Sequence, residues 1–350
     1  MEKKFFFSDN TSGVHPLIMD AIVKGNSGHA KAYGEDDYSL KAKEIIKEIL
    51  GKECYSTFVL GGTGGNILAL DSLMRSYQGL ICSDCSHIHT TETGAFEKIV
   101  GAKIYPTIAK NGKIDLLEAR KYLEDNKNNI HHNQPKVISI AQTTEVGTVY
   151  EIEEIKEICD FAHENGLYVH VDGARIANAL VSLNCTLKEM ISDTGVDVLT
   201  LGGTKNGMMF GEVNIYFDES LYNQSRFLQK QNLQLISKMR YISIQFIEYF
   251  REDLYLKIAK ESNDLMNVFK DSIEELKAVK LLYPIESNQA FIRIPIKFSN
   301  QLINKYEYAI LSELEDETDL RLVTTFINTK EEVFELINDL KNINSFIGGK

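Results

Sequence analysis

The chain has 350 residues, of which 43% are hydrophobic and 25% are charged, and its formal net charge is -12. This length exceeds what one small core needs, so we expect one large domain and a smaller one. The negative charge argues against nucleic-acid binding, which requires clustered cations, and no apolar run is long enough for a membrane-spanning helix. The first residues carry too few apolar side chains for a secretory signal, so we expect a cytoplasmic protein.

Helical and strand-like patterns alternate from about residue 40. The clearest helical segments repeat apolar residues every three or four positions and are residues 39–50, 67–74 and 152–164. Short apolar runs indicate buried strands at residues 55–60, 80–82, 103–105, 137–140, 168–171 and 196–201. This alternation predicts an α/β fold, with a mostly parallel central sheet and helices on both of its faces.

The pattern changes beyond Phe217. Residues 219–277 are mostly helical and include a long amphipathic stretch from 237 to 276. Further strands are indicated at residues 280–283, 290–294 and 321–323, and further helices at residues 300–311 and 329–343. We therefore predict a large domain at residues 1–255 and a small C-terminal α+β domain at residues 256–350.

The cysteines do not predict a disulfide framework or a metal site. There are five of them, an odd number without framework spacing, which is typical of reduced thiols. Cys82 and Cys85 have CxxC spacing and are followed by His87 and His89, as in half of a zinc or redox site. A second CxxC pair is missing from the sequence, so we predict no metal.

Three segments that follow buried strands are candidates for chemistry, because reactive groups lie at the carboxyl ends of strands in an open parallel sheet. They contain Lys205, Asp172 and the motif Ser86-His-Ile-His. Lys205 lies in the glycine-rich turn Thr200-Leu-Gly-Gly-Thr-Lys-Asn-Gly, where a lysine shielded from water acquires the low pKa that a nucleophile needs. Asp172 suits an anion that keeps a pyridine nitrogen protonated. The commoner alternatives are a solvated turn lysine and an aspartate that caps the next helix.

The turn Gly61-Gly-Thr-Gly-Gly-Asn follows another predicted strand and precedes a helix. Free amides at a helix N-terminus suit a phosphate group. The turn lacks the order GxGxxG, and no acidic residue is placed to bind a ribose, so it does not indicate a dinucleotide site.

Taken in order, the short motifs of this chain resemble the threonine aldolase family, and most closely its low-specificity and phenylserine aldolase branch. The resemblance covers essentially the whole chain, and the set is specific although each motif alone is weak. The motifs are Ser8-Asp-Asn-Thr-Ser-Gly-Val-His-Pro, Tyr33-Gly-Glu-Asp, Gly61-Gly-Thr-Gly-Gly-Asn, Ser86-His-Ile-His, Val171-Asp-Gly-Ala-Arg, Gly203-Thr-Lys-Asn-Gly, Ser237-Lys-Met-Arg and Leu320-Arg-Leu-Val-Thr-Thr-Phe.

The resemblance implies an aspartate-aminotransferase-like fold and pyridoxal 5'-phosphate as the cofactor. Lys205 would carry the cofactor as a Schiff base, and Asp172 would pair with its pyridine nitrogen. His87 would stack on the ring, close enough to the substrate hydroxyl to assist its deprotonation. Gly62 and Thr63 would hold the phosphate group through backbone and hydroxyl groups.

The family also implies residues for the amino-acid substrate and for assembly. Arg321 would bind the substrate carboxylate with help from Ser8 and from Arg175, which also lies near the cofactor. Tyr33 and Lys230 occupy positions that contact cofactor or substrate in the family, with Lys230 supplied by a neighbouring subunit. We therefore expect a homo-oligomer, a dimer or a tetramer, with shared active sites.

Two departures from the family pattern bear on specificity. Many members have a second histidine where this chain has Thr144, and a hydroxyl cannot act as a near-neutral base, so we expect only a weak preference for one β-epimer. We assign Thr144 to the substrate, with His87 and Glu92 as the next candidates to distinguish the epimers. Residues 229–234, Gln-Lys-Gln-Asn-Leu-Gln, replace a basic, glycine-containing stretch, which affects the expected phosphate site or subunit geometry.

The sequence thus predicts a carbon-carbon lyase. Its substrates would be L-threonine, L-allo-threonine or related β-hydroxy-α-amino acids, cleaved to glycine and an aldehyde. One alternative is another pyridoxal-phosphate reaction, β-elimination or transamination, which differs only in which bond is oriented for cleavage. A second alternative is a non-catalytic protein that binds a nucleotide at the glycine-rich turn.

Overall fold

The computed structural model describes residues 3–273 and 276–348, with side chains up to residue 342. Within these residues, the strands in chain order are β1 (Lys4–Phe5), β2 (Tyr55–Val59), β3 (Gln78–Ser83), β4 (Lys103–Thr107), β5 (Gln134–Ala141), β6 (Tyr168–Gly173), β7 (Val198–Gly202), β8 (Glu212–Tyr216), β9 (Lys280–Leu281), β10 (Gln289–Pro295), β11 (Tyr306–Glu307), β12 (Ala309–Glu313) and β13 (Glu317–Val323).

The helices alternate with the strands through the first two hundred residues and become longer beyond them. In chain order they are α1 (Pro16–Lys24), α2 (Asp37–Leu50), α3 (Gly62–Leu73), α4 (His87–Thr90), α5 (Ala95–Ile99), α6 (Leu116–Asn126), α7 (Ile152–Glu164), α8 (Ile176–Leu183), α9 (Glu219–Gln231), α10 (Arg240–Phe250), α11 (Leu254–Ile273), α12 (Ile296–Leu302) and α13 (Lys330–Gly348). Short 3-10 turns lie at Asp9–Thr11, Thr204–Asn206 and Arg251–Asp253, and a π-helical segment lies at Lys188–Ser192. None of the described residues belongs to a helix long and apolar enough to cross a membrane.

The central sheet confirms the predicted α/β architecture. Among the described residues it has seven strands in the order β2-β8-β7-β6-β5-β3-β4. β8 is antiparallel to both of its neighbours, and the other pairs are parallel. The strands other than β8 therefore all point the same way, and the segments that follow β2, β3, β5, β6 and β7 meet at one edge of the sheet. β8 begins at that edge.

Alternation along the strands builds a core on each face of this sheet, because successive side chains point to opposite faces. Ile81 and Leu199 lie in one core, which helices α2, α7, α8 and α10 cover. Their neighbours Leu80 and Val198 lie in the other core, which helices α3, α5 and α9 cover. The strands are apolar on both faces because both faces are covered, as in parallel sheets generally.

The C-terminal part of the chain has a core of its own. β12-β13-β10-β9 form an antiparallel sheet that packs against α13 and the second half of α11. α11 joins the two cores, since Ile258 belongs to the large one and Met266 to the small one. Phe6, which follows β1, also packs in the small core. The boundary between residues 255 and 256 remains our proposal, and the change of core occurs a few residues later within α11.

Two local predictions beyond residue 217 were wrong. The predicted helix at residues 300–311 is instead the end of α12 followed by β11 and β12, because pairing of β12 with β13 overrides the helical spacing of its apolar residues. The predicted amphipathic helix from 237 to 276 is interrupted at Glu252 and Asp253, which adopt φ of 50° and 57°. Left-handed backbone of this kind cannot continue a right-handed helix.

Candidate active site

One cleft at the carboxyl edge of the central sheet brings together six of the residues predicted from the sequence. These are Gly62, Thr63, His87, Asp172, Arg175 and Lys205. They come from the segments after β2, β3, β6 and β7, so the parallel strand direction explains why residues far apart in sequence meet here. The cleft is also lined by Asn66, Glu92, Ala141, Thr143, Glu145 and Ala174.

Lys205 lies in the 3-10 turn that follows β7. The side-chain amide of its neighbour Asn206 anchors this turn, donating to Tyr249 Oη and to the carbonyl of Tyr255 at 2.8 Å each. The pKa of Lys205 is lowered, first by the positive charge of Arg175 and then by burial. A lysine with a lowered pKa is more often a free amine, which is the form that attacks a carbonyl group.

Asp172 is the last but one residue of β6, and both oxygens of its carboxylate accept hydrogen bonds. Its Oδ1 accepts the backbone N–H of Ala174 at 3.0 Å, and its Oδ2 accepts Nδ2 of Asn66 at 2.8 Å. The cap position of the following helix α8 is Arg175, which makes no capping bond through its side chain. Asp172 is therefore not the cap of that helix, and its carboxylate lines the cleft instead.

The glycine-rich turn opens helix α3, whose cap position is Gly61 and has no side-chain capping bond. A Cβ atom on Gly61 or Gly62 would meet no atom within 4 Å, so a ligand can approach the backbone of this turn. Neutral amides hold the strand before it, since Gln229 donates to the carbonyl of Phe58 at 2.7 Å and Gln234 accepts the N–H of Leu60 at 3.1 Å. The first turn of α3 therefore offers a site for an anion.

His87 is the first residue of the short helix α4, and its side chain is 42% exposed. Its ring Nδ1 lies 2.8 Å from Oε1 of Glu92, and its backbone N–H donates to Oε1 of Glu145 at 2.7 Å. The hydrogen bond with Glu92 raises the pKa of His87. This histidine lines the cleft rather than filling the core.

Two acids near the cleft, the half-buried Glu145 and the buried Glu212, were not identified from the sequence. Burial raises the pKa of Glu145 to about 7 and that of Glu212 to about 7. Glu212, the first residue of β8, accepts the N–H of Gly203 at 2.7 Å and thereby holds the turn that carries Lys205. An acid next to the β-branched residues of Gly211-Glu-Val-Asn-Ile was a usable signal for Glu212, whereas Glu145 and Asn66 gave no comparable signal.

A pair of arginines lies beside the cleft. Arg175 forms an ion pair with Asp9, another residue that the sequence reasoning missed. Arg321 donates to the carbonyl of Phe7 at 3.2 Å, and its Nε is buried without a partner among the described residues. Burial and then the charge of Arg175 lower the pKa of Arg321. Ser8 lies in the sequence between Phe7 and Asp9, the residues that the two arginines contact, and it caps the 3-10 turn at Asp9–Thr11.

Besides Ser8 and Arg321, three predicted residues do not line this cleft. Tyr33 is 49% exposed, and Nζ of Lys230 lies 5.1 Å from the centre of its ring, so these two residues meet each other at a separate surface. Thr144 is fully buried, with its hydroxyl 2.7 Å from that of Thr148. The structure thus does not bring Thr144 into the cleft as the sequence reasoning assumed, and the neighbouring Glu145 lines the cleft in its place.

The CxxC pair has no metal-binding neighbourhood among the residues that the structure describes. Cys82 is buried in the core and Cys85 is half-buried. Burial raises the pKa of the Cys82 thiol to about 12, so this thiol stays protonated, whereas metal binding and nucleophilic attack both need the thiolate.

Comparisons with known proteins agree with this geometry. The Beta-eliminating lyase family model matches residues 6–279. The chain is 36% identical to the low specificity L-threonine aldolase of Pseudomonas sp. over 86% of its length and 87% of that protein, and 36% identical to that of Pseudomonas aeruginosa over 83% and 84%. Its fold matches the threonine aldolase of Leishmania major with a TM-score of 0.93 and 30% identity, covering 97% of this chain and 99% of that one. The chain belongs to the threonine aldolase family, within the β-eliminating lyases.

Proposed function

We propose that this protein is a pyridoxal-phosphate-dependent aldolase that cleaves L-threonine, L-allo-threonine or related β-hydroxy-α-amino acids to glycine and an aldehyde. The observation that carries the proposal is the meeting of Lys205, Asp172 and His87 in one cleft next to the uncapped N-terminus of α3. Membership of an enzyme family argues against the alternative of a non-catalytic nucleotide-binding protein.

The residues of the cleft fit pyridoxal phosphate. Lys205 offers an amine of lowered pKa, and Asp172 offers a carboxylate that can hold a proton on a pyridine nitrogen. The uncapped amides of α3 and the hydroxyl of Thr63 can accept a phosphate group. When bound, the cofactor supplies an electron sink for the electrons of the Cα–Cβ bond that breaks.

The arginine pair suits the carboxylate of an amino acid. Arg321 keeps an unpartnered, buried Nε, and a guanidinium group binds a carboxylate through two parallel hydrogen bonds. We propose that Arg321 holds the substrate carboxylate, that Ser8 assists it, and that Arg175 adds positive charge beside the cofactor. Fixing the carboxylate also fixes which bond of the α-carbon is oriented for cleavage.

We assign the proton of the substrate hydroxyl to His87. Its Nδ1 lies against Glu92, which leaves Nε2 as the ring atom that can accept a proton. A positioned base of this kind typically contributes roughly 10²–10⁴-fold to the rate of a proton-transfer step.

We further propose a cytoplasmic homo-oligomer, a dimer or a tetramer, in which Tyr33 and Lys230 serve the cleft of a neighbouring subunit. Both side chains are exposed and lie away from the cleft of their own subunit, which supports this role. The cysteines of the chain are all unpaired, as in proteins of a reducing compartment.

The test is the absorbance spectrum and product analysis of the protein incubated with pyridoxal phosphate. We expect a visible absorbance band, covalent attachment to Lys205 after borohydride reduction, and glycine plus acetaldehyde from L-threonine. Lys205→Ala should lose the reducible attachment and the turnover, whereas the exposed control Lys98→Ala should keep both. 2-Oxobutyrate and ammonia in place of glycine and acetaldehyde would assign β-elimination instead, and attachment at wild-type level in Lys205→Ala would refute the site.

A further inference from the structure

A chain of hydrogen bonds crosses the floor of the cleft. Nδ2 of Asn66 lies 2.8 Å from Oδ2 of Asp172 and 3.1 Å from Oε1 of Glu92. The same Oε1 of Glu92 lies 2.8 Å from Nδ1 of His87. Asn66 and Glu92 thus connect the two residues proposed to hold the cofactor. Asn66 was not among the residues predicted from the sequence, and Glu92 was named there only as a candidate to distinguish the β-epimers.

Both connecting residues are almost fully buried, Asn66 at 2% and Glu92 at 5% exposure. Within the described part of the chain, Oδ1 of Asn66 and Oε2 of Glu92 have no hydrogen-bond partner. Both contacts of the Glu92 carboxyl group therefore converge on Oε1. A buried acid costs free energy unless something uses its charge, and the groups that use it here are Asn66 and His87.

The direction of the bond between His87 and Glu92 determines which ring nitrogen is free. An ionised carboxylate only accepts hydrogen bonds, so His87 donates from Nδ1 and its neutral ring has a lone pair on Nε2. We infer that Glu92 is a positioning residue that holds the ring proton of His87 on Nδ1 and keeps Nε2 available to accept the proton of the substrate hydroxyl. The statement that Nε2 accepts the proton of the substrate hydroxyl rests on the proposed function.

Asn66 has a separate part in the same arrangement. Its amide group donates to carboxylates on both sides, and it stands between two anions that would otherwise repel each other in a site of low dielectric. Asn66 thereby keeps Asp172 available for the cofactor while Glu92 serves His87. Asn66 and Glu92 are both residues of this chain, so their arrangement exists before any cofactor binds.

The charged groups that face His87 set the sign of the expected pH effect. Glu92 and Asp172 raise the pKa of His87, and Lys205 lowers it. Glu145 contacts the backbone N–H of the same residue. Because Glu92 is the largest cause of the rise, its replacement by a neutral side chain should lower the pKa of His87.

The first test observes the ring in the wild-type protein without any substrate. The chain has eight histidines, so ¹⁵N-histidine labelling gives a small set of ring signals, and His87→Asn identifies the signal of His87. We expect the neutral ring to carry its proton on Nδ1, both without cofactor and with pyridoxal phosphate bound. A neutral ring protonated on Nε2 would overturn the inference, because the carboxyl group of Glu92 would then be the donor.

The second test compares Glu92→Gln with the matched control Glu97→Gln, an exposed glutamate five residues further along the chain. Glutamine can still accept from Nδ1 but carries no charge, so the pKa of His87 should fall by about one unit. In the assembled enzyme the acidic limb of kcat/KM should move to lower pH by the same amount, and kcat/KM at pH 8 should fall about tenfold or more. Glu97→Gln should change neither quantity.

Glu92→Asp keeps the inference testable if the glutamine variant folds poorly. Aspartate retains the charge but withdraws the carboxylate by about one carbon–carbon bond, so the pKa of His87 should stay closer to wild type than in Glu92→Gln. An unchanged pKa of His87 in both variants would show that Glu92 only fills space. The ring signals report on Glu92 even if threonine is not a substrate, whereas failure of the proposed function would appear as absent cleavage in the wild type.

Discussion

Arg175 donates two hydrogen bonds to one oxygen of Asp9, from Nε at 2.9 Å and from Nη2 at 2.5 Å. The other oxygen of Asp9 accepts a hydrogen bond from the side-chain amide of Asn288, so both oxygens of this carboxylate already have partners. Arg321 lies close enough to Arg175 for their charges to interact, and together they face a single partner acid. One of the two guanidinium charges is therefore available to a ligand. The free Nε of Arg321 indicates that it is the charge of this residue.

Arg321→Lys should weaken binding of the amino acid although the charge is retained. An ammonium group cannot form the paired hydrogen bonds of a guanidinium group. Losing one charged hydrogen bond costs about 1.5–3 kcal/mol, which corresponds to roughly ten- to hundredfold in the dissociation constant. Spectral titration with glycine and with L-threonine measures it, and both should lose affinity equally because they share the carboxylate. Arg293→Lys, which changes a half-buried ion pair with Asp319, is the control, and unchanged glycine binding would reassign the clamp to Arg175.

Asp172→Asn should retain the cofactor but slow cleavage by roughly two orders of magnitude or more, because a neutral amide no longer stabilises the pyridinium charge. Binding should survive since Lys205 and the first turn of α3 are unchanged. Steady-state kcat together with the amount of bound cofactor measures this, with Asp160→Asn on the exposed face of α7 as the control. A normal kcat would mean that Asp172 only stabilises the loop through its hydrogen bond with the backbone of Ala174.

Much of the large domain was predictable because each element is specified locally. Helix α2, for example, has Asp36 at its start, accepting the N–H of Ser39 at 2.9 Å, and Gly51 with φ of 59° at its end. These are the capping residues that sequence patterns report directly. In the small domain the pairing of β12 with β13 is a long-range contact, and helical spacing of apolar residues gave no warning of it.

The candidate site was predictable where a residue follows a strand within a recognisable motif, as Lys205, Asp172 and His87 do. Residues that support them were missed because their roles depend on distant partners. Asn66 looks like an ordinary helix residue until β6 brings Asp172 within 2.8 Å of it. Position 144 was assigned to the substrate from the family pattern, but the direction in which its side chain points depends on the path of the loop, which no local pattern reports.

Glu212→Gln should change the pH dependence of stability. Burial raises the pKa of Glu212 from its ordinary value of 4.5 to about 7. Between these values the folded chain holds a proton that the unfolded chain releases, so the contribution of Glu212 is complete below pH 4.5 and is lost as the pH rises through 7. Glutamine removes this loss while still accepting the N–H of Gly203. Relative to wild type, the variant should therefore gain at most about 3 kcal/mol on going from pH 4.5 to pH 8.5.

Denaturant unfolding of the cofactor-free protein at the two pH values measures this difference. Glu157→Gln, at an exposed position on α7, serves as the control and should show no such gain. A free energy of unfolding that differs from wild type by the same amount at both pH values would mean that Glu212 has an unshifted pKa.

Gly202→Ala should destabilise the protein and disturb the site. Gly202 ends β7, and an added Cβ would lie 2.7 Å from the Cα atom of Ala174, which is backbone and cannot turn aside. Overpacking of this kind costs about 1–3 kcal/mol, and it would push the Lys205 turn away from Asp172. Gly13→Ala is the control because a Cβ there meets nothing within 4 Å. Equal melting temperatures of the two variants would contradict the close approach.

The enzyme should discriminate weakly between L-threonine and L-allo-threonine. The hydroxyl of Thr144 is bonded to that of Thr148, so position 144 supplies no imidazole and no free hydroxyl to the β-carbon. One missing orienting hydrogen bond is worth about 0.5–1.5 kcal/mol, so the kcat/KM values of the two epimers should agree within roughly tenfold. Phenylserine should be cleaved at least as well as threonine, because position 144 places no side chain in the cleft beside the β-carbon.

The variant Thr144→Val separates this explanation from a direct contact with the substrate. Valine removes the hydrogen bond to Thr148 and should lower the free energy of unfolding by about 1 kcal/mol, while the ratio of kcat/KM for the two epimers stays constant. A change in that ratio would return Thr144 to the substrate site. If instead the wild type prefers one epimer by roughly a hundredfold, or about 2.7 kcal/mol, a residue other than Thr144 contacts the β-hydroxyl of the substrate and distinguishes its two orientations. His87 is then the first candidate, because Glu92 holds its ring in a single orientation.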